Sequence, residues 1–297
     1  MIDLRKIFSS NVRGKMMHLL SFLPDKLYLR IFYFSTTGKL INFKTPKGFN
    51  EKLQWLKVND RRPEYTKLVD KLAVREHIAN VLGEEYLFPL LGKWESFEEI
   101  DFNTLPEQFV LKCNHDSGST KVIKSKSSLT QSDFEEMRAF YTKRLSRDFF
   151  YAGREYPYKG IKPYIIAEQL MTDENDKEKS IEDYKFFCFN GIPKIMFVAT
   201  DRSTDCKFDF YDMDFNHLDL INIHPNTDKH IEKPKMFDEM KEIAAKLSKG
   251  MRHVRIDLYE LNGKIYFGEY TFFHGGGFQL CQPPEWEHRL GDWIDLS

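Results

Sequence analysis

The sequence contains no run approaching the roughly 20 apolar residues that a membrane-spanning helix requires. Its start also lacks a secretory pattern: Met16 to Leu23 is short, contains His18, and runs into Pro24 and Asp25 without a small-residue cleavage site. A cytoplasmic protein is the expectation. Cys113, Cys188, Cys206 and Cys281 stand apart, with no Cys-x-x-Cys pair to hold zinc or run thiol exchange, and read as buried reduced thiols. The Walker-A spacing and the Gly-x-Gly-x-x-Gly fingerprint are both missing, which removes two common nucleotide-binding folds. Internal repeats and low-complexity linkers are absent too, so organisation must be read from periodicity.

An excess of charge of either sign is lacking: 44 Lys and Arg face 45 Asp and Glu, a net charge of −1, which argues against a globally basic nucleic-acid binder. The near-zero sum hides a split. Met1 to Arg62 holds 13 basic and 4 acidic residues, or +9, and the remainder carries −10. Within that basic region, residues 4–34 intersperse Ile7, Leu19, Leu20, Leu27, Ile31, Phe32 and Phe34 with Arg5, Lys6, Arg13, Lys15, Lys26 and Arg30. Such a segment suits either peripheral contact with an anionic membrane or packing on the body with its charges solvated. A chain of 297 residues that is 41% hydrophobic and 15% aromatic is too apolar for disorder and long enough for a core and a cleft.

Helical spacing of apolar residues predicts helices over 50–58, over 66–82 (ended by Gly83), over 131–149 and over 236–249 (ended by Gly250). Short apolar runs at 108–115 and 121–124 flank Asp116 to Thr120 and predict a hairpin with a polar tip, and 161–171 reads as a buried strand. Further strands are expected at 183–189, 193–200, 207–212, 253–260 and 264–271, with hairpin turns at Asn190-Gly191 and Asn262-Gly263. Hairpins with segregated helices indicate an α+β protein rather than a doubly wound parallel sheet.

Two clusters carry chemistry. Arg255 and Asp257 share one face of a strand, Glu269 and Thr271 share a face of the next, and the intervening turn can set Asp257 beside Glu269. Carboxylates among apolar strands call for a cation, and hard oxygens without His or Cys favour Mg²⁺; pairing of Arg255 with one carboxylate is the structural alternative. In the second cluster, Lys112 ends a strand before Asn114-His115-Asp116-Ser117-Gly118-Ser119-Thr120, where an ammonium, backbone N–H groups and hydroxyls can meet phosphate, or where the loop is an ordinary turn.

These clusters, in this order, resemble the ATP-grasp superfamily and, within it, the TupA-like proteins of bacterial polysaccharide clusters. The resemblance covers about residues 45–297 and rests on FNEKLQWLK, YTKLVDKLAVRE, FVLKCNHDSGST, IIAEQLM, DYKFFCFNG, VRIDLY, KIYFGEYTFFHGGGF and LGDWI. It implies an α+β ATP-grasp fold in which two lobes with mainly antiparallel sheets sandwich ATP. Here a basic helical segment (1–62) would precede an ATP-grasp domain (63–297), with lobes at about 105–170 and 181–297. It also implies site residues: Lys71 and Lys112 on the phosphates, Asp116, Ser117, Gly118, Ser119 and Thr120 as the closing hairpin, and Glu168, Gln169 and Met171 as the adenine hinge. Asp183 would bind ribose, Lys185 would face the cleft beside it, Asp257 and Glu269 would hold Mg²⁺, and Arg255 would sit at the reacting phosphoryl group. Thr271 stands where many relatives have an asparagine ligand, which weakens one coordination position. His115 and His274 read either as acid/base or substrate-orienting groups or as structural histidines, and Arg202 as a grip for an acidic substrate or a surface arginine.

The implied activity is ATP- and Mg-dependent ligation of a carboxylate to an amine through an acylphosphate. The expected partners are an acidic sugar or polysaccharide precursor, such as a uronic acid, and an amine or amino acid, with no nucleic acid. Two other readings stand beside it: a glycosyltransferase, although no nucleotide-sugar signature is present, and a non-catalytic nucleotide-binding scaffold of a polysaccharide assembly complex.

Overall fold

The computed structural model describes residues 20–174, 181–201 and 204–297. Arg202 and residues 4–19 of the basic segment lie outside the described residues. Four helices come first: α1 (Asp25–Thr37), α2 (Phe49–Asn59), α3 (Glu64–Val69) and α4 (Val74–Val81). The single helix expected over 66–82 is thus two. Asp70 ends α3, its carboxylate takes the Leu72 N–H at 2.9 Å, and the Lys71 N–H leaves for the Asn114 carbonyl at 3.1 Å. Asn114, just past a strand far downstream, supplies that bond, so local periodicity could not reveal the break.

The first sheet is antiparallel in the order β1-β4-β2-β3, from β1 (Leu90–Trp94), β2 (Phe109–Cys113), β3 (Lys121–Ile123) and β4 (Ile165–Gln169). Alternation along β2 buries Phe109, Leu111 and Cys113 against Met137 and Tyr141 of α5 (Gln131–Leu145) and turns Lys112 to the other side. The Tyr141 hydroxyl fastens α5 by donating to the Leu111 and Ser119 carbonyls at 3.0 and 3.1 Å. The helix expected over 131–149 ends at Leu145, and a one-turn α6 (Phe150–Gly153) follows.

The second sheet is antiparallel in the order β7-β6-β5-β8-β9, from β5 (Asp183–Phe189), β6 (Ile192–Thr200), β7 (Lys207–Asp212), β8 (His253–Leu261) and β9 (Lys264–Thr271). All five strands fall where alternation and the Asn-Gly turns place them; Asn190 and Asn262 take left-handed φ values of 51° and 52°. One face holds Tyr184, Phe186, Cys188, Ile256 and Leu258 and is covered by α7 (Phe237–Ser248), whose Phe237, Met240, Ala244 and Leu247 are buried. Burying each such side chain contributes about 1.5–3 kcal/mol. The opposite face carries Asp183, Lys185, Arg255 and Asp257, and it forms the floor of the site.

Beyond β9 come a short turn at His274–Gly277 and α8 (Glu285–Asp292). Helix α2 packs on both, and α3 packs on β9 and on the turn Tyr156–Tyr158, with the Tyr65 and Phe272 rings 4.2 Å apart. Cys113, Cys188 and Cys281 are buried and Cys206 half-buried, all as free thiols. Among the described residues no helix is long and apolar enough to cross a membrane.

Candidate active site

Strand register assembles the floor. Asp257 lies opposite Lys185 on one side and Glu269 on the other, and Arg255 lies opposite Thr271. Gly268 is the extra residue of a bulge between the Asp257–Glu269 and Leu258–Phe267 pairs; without it Glu269 would turn to the other face. A Cβ there would lie 2.9 Å from the Asp257 carbonyl oxygen and 2.9 Å from the Tyr259 ring. Gly268→Ala is therefore expected to cost about 1–3 kcal/mol and to lower activity further by displacing Glu269, to be checked by urea unfolding beside an ATP turnover assay.

Arg255 is the hub. Its Nε and Nη2 donate to the two Asp257 oxygens at 2.6 and 2.7 Å, and Nη2 also reaches Thr271 Oγ1 at 3.0 Å and Glu269 Oε1 at 3.4 Å. Lys185 donates to Asp257 Oδ2 and lies 2.6 Å from Asp183 Oδ2. Burial would raise the Asp257 pKa, but Arg255 and then Lys185 overcome it and hold the carboxyl down at about 2. Burial opposes the charge of Arg255 in the same way, and Asp257 reverses that effect, leaving the guanidinium more firmly protonated than usual. Three carboxylates against two cations leave the floor with one uncompensated negative charge. The Asp257 side chain is 1% exposed and that of Glu269 37%, so Glu269 is the carboxylate open to the cleft.

His274 is buried beside Arg255. Arg255 Nη1 lies 2.7 Å from its Nδ1, and since a guanidinium only donates, Nδ1 must accept; Nε2 then carries the hydrogen and donates to Asn222 Oδ1 at 2.9 Å. Burial first and Arg255 second push the ring's pKa well below its usual value. Both ring nitrogens are engaged, and neutral His274 holds Arg255. Asn222 is fixed in turn by its amide N–H to the Gln279 carbonyl at 2.9 Å, and the next residue, Ile223, takes a left-handed φ of 65°, strained for a β-branched side chain. His253 is also buried and neutral, pushed down to about 3 by burial despite its contact with the Cys188 carbonyl. Unfolding frees both rings to bind protons below their ordinary pKa of about 6.5. Stability is thus expected to be whole above that pH and to fall on acidification by about 1.4 kcal/mol per pH unit per histidine, for His253 down to about pH 3. Thermal melts between pH 7 and 5 check this.

Further cations, Lys71 and Lys112, lie beside β2 and the loop that follows it. Lys71, at the break between α3 and α4, donates to the Asp116 carbonyl; burial lowers its pKa and the Glu269 charge opposes that shift. Lys112 pairs with Glu168 at 2.5 Å, and Arg75 with the same carboxylate at 3.6 Å. Glu168 is therefore a counter-ion for Lys112 by its side chain, while Gln169 and Met171 lead out of β4. In the loop after β2, Asp116 pairs with Arg144 at 2.7 Å and takes the Ser119 hydroxyl at 2.5 Å, and His115 Nε2 lies 3.2 Å from the Arg144 carbonyl. Those three side chains hold the loop's shape, and Ser117, Gly118 and Thr120 form its exposed tip.

Sequence reasoning found α2 as a helix but missed its polar clasp. Asn50, Gln54 and Lys57 lie at i, i+4 and i+7, on the buried side of the helix with Phe49, Leu53 and Leu56; polar residues at core spacing were the available signal. Asn50 donates to Glu287 at 2.5 Å, Gln54 to the Gly277 carbonyl at 2.6 Å, and Lys57 to the Gly153 and Gly276 carbonyls at 2.7 and 2.6 Å. The clasped turn has φ values of 56°, 64° and 66° at Gly275, Gly276 and Gly277, a succession open only to glycine, and a Cβ on Gly277 would collide with the Gln54 amide.

A two-lobed antiparallel α+β framework with this floor and these lysines is that of the resemblance noted above, and the model of the TupA-like ATP-grasp family matches residues 51–295. The chain belongs to the TupA-like ATP-grasp family. Members of the ATP-grasp superfamily are ATP-dependent ligases. Among solved structures, the D-alanine–D-alanine ligase of Bacillus anthracis complexed with ATP is similar at 13% identity, over 76% of this chain and 57% of that one, with a TM-score of 0.39. The ATP-grasp ligase PsnB with its minimal precursor is similar at 13% identity, over 82% and 66%, with a TM-score of 0.42. PsnB with a phosphomimetic precursor variant, Mg and ADP is similar at 11% identity, over 83% and 66%, with a TM-score of 0.40. This TupA-like chain spans less than two thirds of each of these three proteins. No curated protein matches it.

Proposed function

We propose that the protein is an ATP- and Mg-dependent carboxylate–amine ligase acting through an acylphosphate. The observation that carries this reading is one sheet face on which Arg255 and Lys185 flank Asp257, with Glu269 open beside them. Phosphoryl transfer needs positioned cations around the moving phosphoryl group and little covalent help from the protein, and this arrangement supplies them.

The donor set of this floor suits Mg²⁺ bound together with phosphate rather than caged by protein alone. Among the described residues no group of three or more His, Cys, Asp or Glu side chains could cage a metal. Mg²⁺ is commonly held by one or two carboxylates with substrate phosphates and water completing the shell, which two carboxylates and the Thr271 hydroxyl fit. Glu269 and Thr271 would hold it, with Asp257 joining as Lys185 or Arg255 turns to phosphate. The bound ion would neutralise phosphate charge. Arg255, fixed by His274, would hold the acid's carboxylate or the transferring phosphoryl group, and the tip at Ser117, Gly118 and Thr120 would close over the phosphates and keep water from the acylphosphate. In the same reading Gln169 and Met171 form the adenine hinge, Asp183 reaches ribose by exchanging Lys185, and Arg202 grips the acid.

For substrates we take the class implied by the family resemblance, a uronic acid or similar acid of a surface-polysaccharide precursor and an amine or amino acid. The test is incubation with Mg·ATP and pools of both, following phosphate release and product mass. ADP and phosphate formed only when acid and amine are both present support the reading; sugar transfer from a nucleotide sugar without ATP overturns it in favour of a glycosyltransferase. Nucleotide binding without any turnover would favour a scaffold.

We further read α1 as a peripheral contact with anionic membrane from a cytoplasmic site. Phe22, Leu27, Ile31, Phe34 and Leu40 are exposed there beside Lys26, Arg30 and Lys39, within the region of charge +9. The inner side of α1 is core, through Tyr28, Leu29, Phe32 and Tyr33, so deleting the helix would confound the test. Replacing Leu27, Ile31 and Phe34 together with serine is expected to abolish co-sedimentation with phosphatidylserine vesicles and leave the melting curve near wild type. Unchanged co-sedimentation would dispose of the contact.

A further inference from the structure

The hydrogen bonds that hold Arg255 from the His274 side start at a backbone carbonyl. The Gln279 carbonyl can only accept, and it takes the Asn222 amide N–H at 2.9 Å. That settles which end of the amide is which. Oδ1 faces His274 at 2.9 Å, so the ring carries its hydrogen on Nε2 and turns a bare Nδ1 to Arg255, 2.7 Å from Nη1. No link in this chain can be reversed, because a carbonyl has no proton to give and a guanidinium no lone pair. The ring itself is packed by Phe187 and Phe197, with centroids 5.0 and 5.6 Å away.

Asn222 is brought there at a cost in backbone strain. Its carbonyl takes the His224 N–H at 2.7 Å, closing a three-residue turn about Ile223. The Ile223 φ of 65° is of a kind that costs about 1–3 kcal/mol. The turn is pinned on one side by Ile221, which exchanges backbone hydrogen bonds with Gln282 at 2.7 and 2.9 Å. It leaves Asn222 3% exposed and Ile223 44% exposed, the reverse of what their polarities favour, so packing alone does not explain it. At the other end of the chain, Arg255 has five N–H groups. Nε and one hydrogen of Nη2 go to Asp257, the second of Nη2 goes to Thr271, and one of Nη1 goes to His274. Among the described residues the second N–H of Nη1 has no acceptor.

We propose that Asn222 is a positioning residue of the reaction: through His274 it holds Arg255 so that one Nη1 hydrogen is left for an oxygen of the reacting group. What Arg255 meets rests on the ligase reading, and the way it is held does not. Without an acceptor at 222 the ring keeps a single anchor, and its buried Nε2–H is left unpaired. Arg255 then keeps its fork on Asp257 but loses the charge-assisted hydrogen bond that sets its Nη1 side.

The experiment crosses two substitutions and follows phosphate release from Mg·ATP with pooled uronic acids and amino acids. Asn222→Leu removes the acceptor at similar volume. His274→Asn keeps an acceptor at the place of Nδ1 and gives up the reach to Asn222. In the otherwise native chain, Asn222→Leu is expected to lower kcat about tenfold to a hundredfold, the worth of a charge-assisted hydrogen bond, with KM for ATP unchanged. In the His274→Asn background the same substitution should change kcat by less than about threefold, because the path to Arg255 is already cut. Equal losses in the two backgrounds would mean that Asn222 serves only the fold, and would overturn the assignment while leaving the ligase reading standing. A second measurement uses the native chain labelled with ¹⁵N-histidine, the His274 signal being the one lost in His274→Asn. A neutral ring with its proton on Nε2 is expected. A proton on Nδ1, or a charged ring at neutral pH, overturns the assignment whatever the stability of Asn222→Leu. Native protein that releases no phosphate overturns the ligase reading and this role in its reaction, and the spectrum shows separately whether Arg255 is held in this way.

Discussion

Replacing Glu269 with glutamine is expected to lower ATP turnover by about a thousandfold or more while leaving stability within about 1 kcal/mol, and replacing Asp257 with asparagine should do both kinds of damage. The contrast follows from burial. Asp257 is the sole bidentate partner of Arg255 and the shared partner of Lys185, so losing its charge leaves two cations facing each other in the interior. Breaking a buried pair from one side costs about 3–5 kcal/mol, a large part of the 5–15 kcal/mol that holds a domain together. Glu269 meets Arg255 only at 3.4 Å and remains partly in water, so little of the fold depends on it. If it is the open ligand of the cleft, almost all of its effect should appear in turnover. Urea unfolding and steady-state phosphate release on both variants separate the two. Near-normal turnover in Glu269→Gln would refute the placement of Mg²⁺.

The second large effect is expected at Lys57, outside every cluster that the sequence marked. Lys57→Met keeps the volume and removes the donor, leaving the Gly153 and Gly276 carbonyls without their bonds and Glu155 without its counter-charge. A loss of about 2–4 kcal/mol is expected. Because Gly276 shares a turn with His274, turnover should fall further than the unfolded fraction accounts for. Burial holds the Lys57 pKa down at about 8 against the pull of Glu155, and the Phe278 ring lies 4.4 Å from the ammonium. Lys57→Arg, too large for the site, should not rescue it. A melting temperature within 2–4 °C of wild type, the shift expected for a change of only about 1 kcal/mol, would contradict this account of α2.

What could be read beforehand was whatever depends on near neighbours. Alternation and the two Asn-Gly turns placed the five strands of the second sheet, and the turn at Asn262-Gly263 brought Asp257 beside Glu269, because pairing across a short hairpin is a local property. The ion pairs of that floor were not legible as pairs. Lys185 meets Asp257 through the β5–β8 register, 72 residues apart, and the sequence marks each of them without joining them. Pairing of Arg255 with a carboxylate, left open as an alternative, is what the floor shows. β1 escaped because Leu90 to Trp94 is short and carries a register shift near Gly92. α2 was found as a helix but not as a clamp, since its polar stripe has meaning only beside a turn more than 200 residues away. For that reason we propose that the N-terminal segment ends ahead of α2 rather than at Arg62; the family match, which begins at residue 51, supports this. Of the basic residues in that region, Lys26 and Arg30 lie on α1 and Lys52 and Lys57 on α2, where Lys57 is buried inside the protein.

The central claim is that ATP phosphorylates a carboxylate over the face of Arg255, Asp257 and Glu269. The most direct measurement uses an acid substrate labelled with ¹⁸O in its carboxylate, turned over with Mg·ATP and amine, with the released phosphate analysed by mass. One labelled oxygen per phosphate is the predicted result, because the acylphosphate passes its bridging oxygen to the leaving group. Phosphate released with no label, at the same rate as amide is formed, would contradict it.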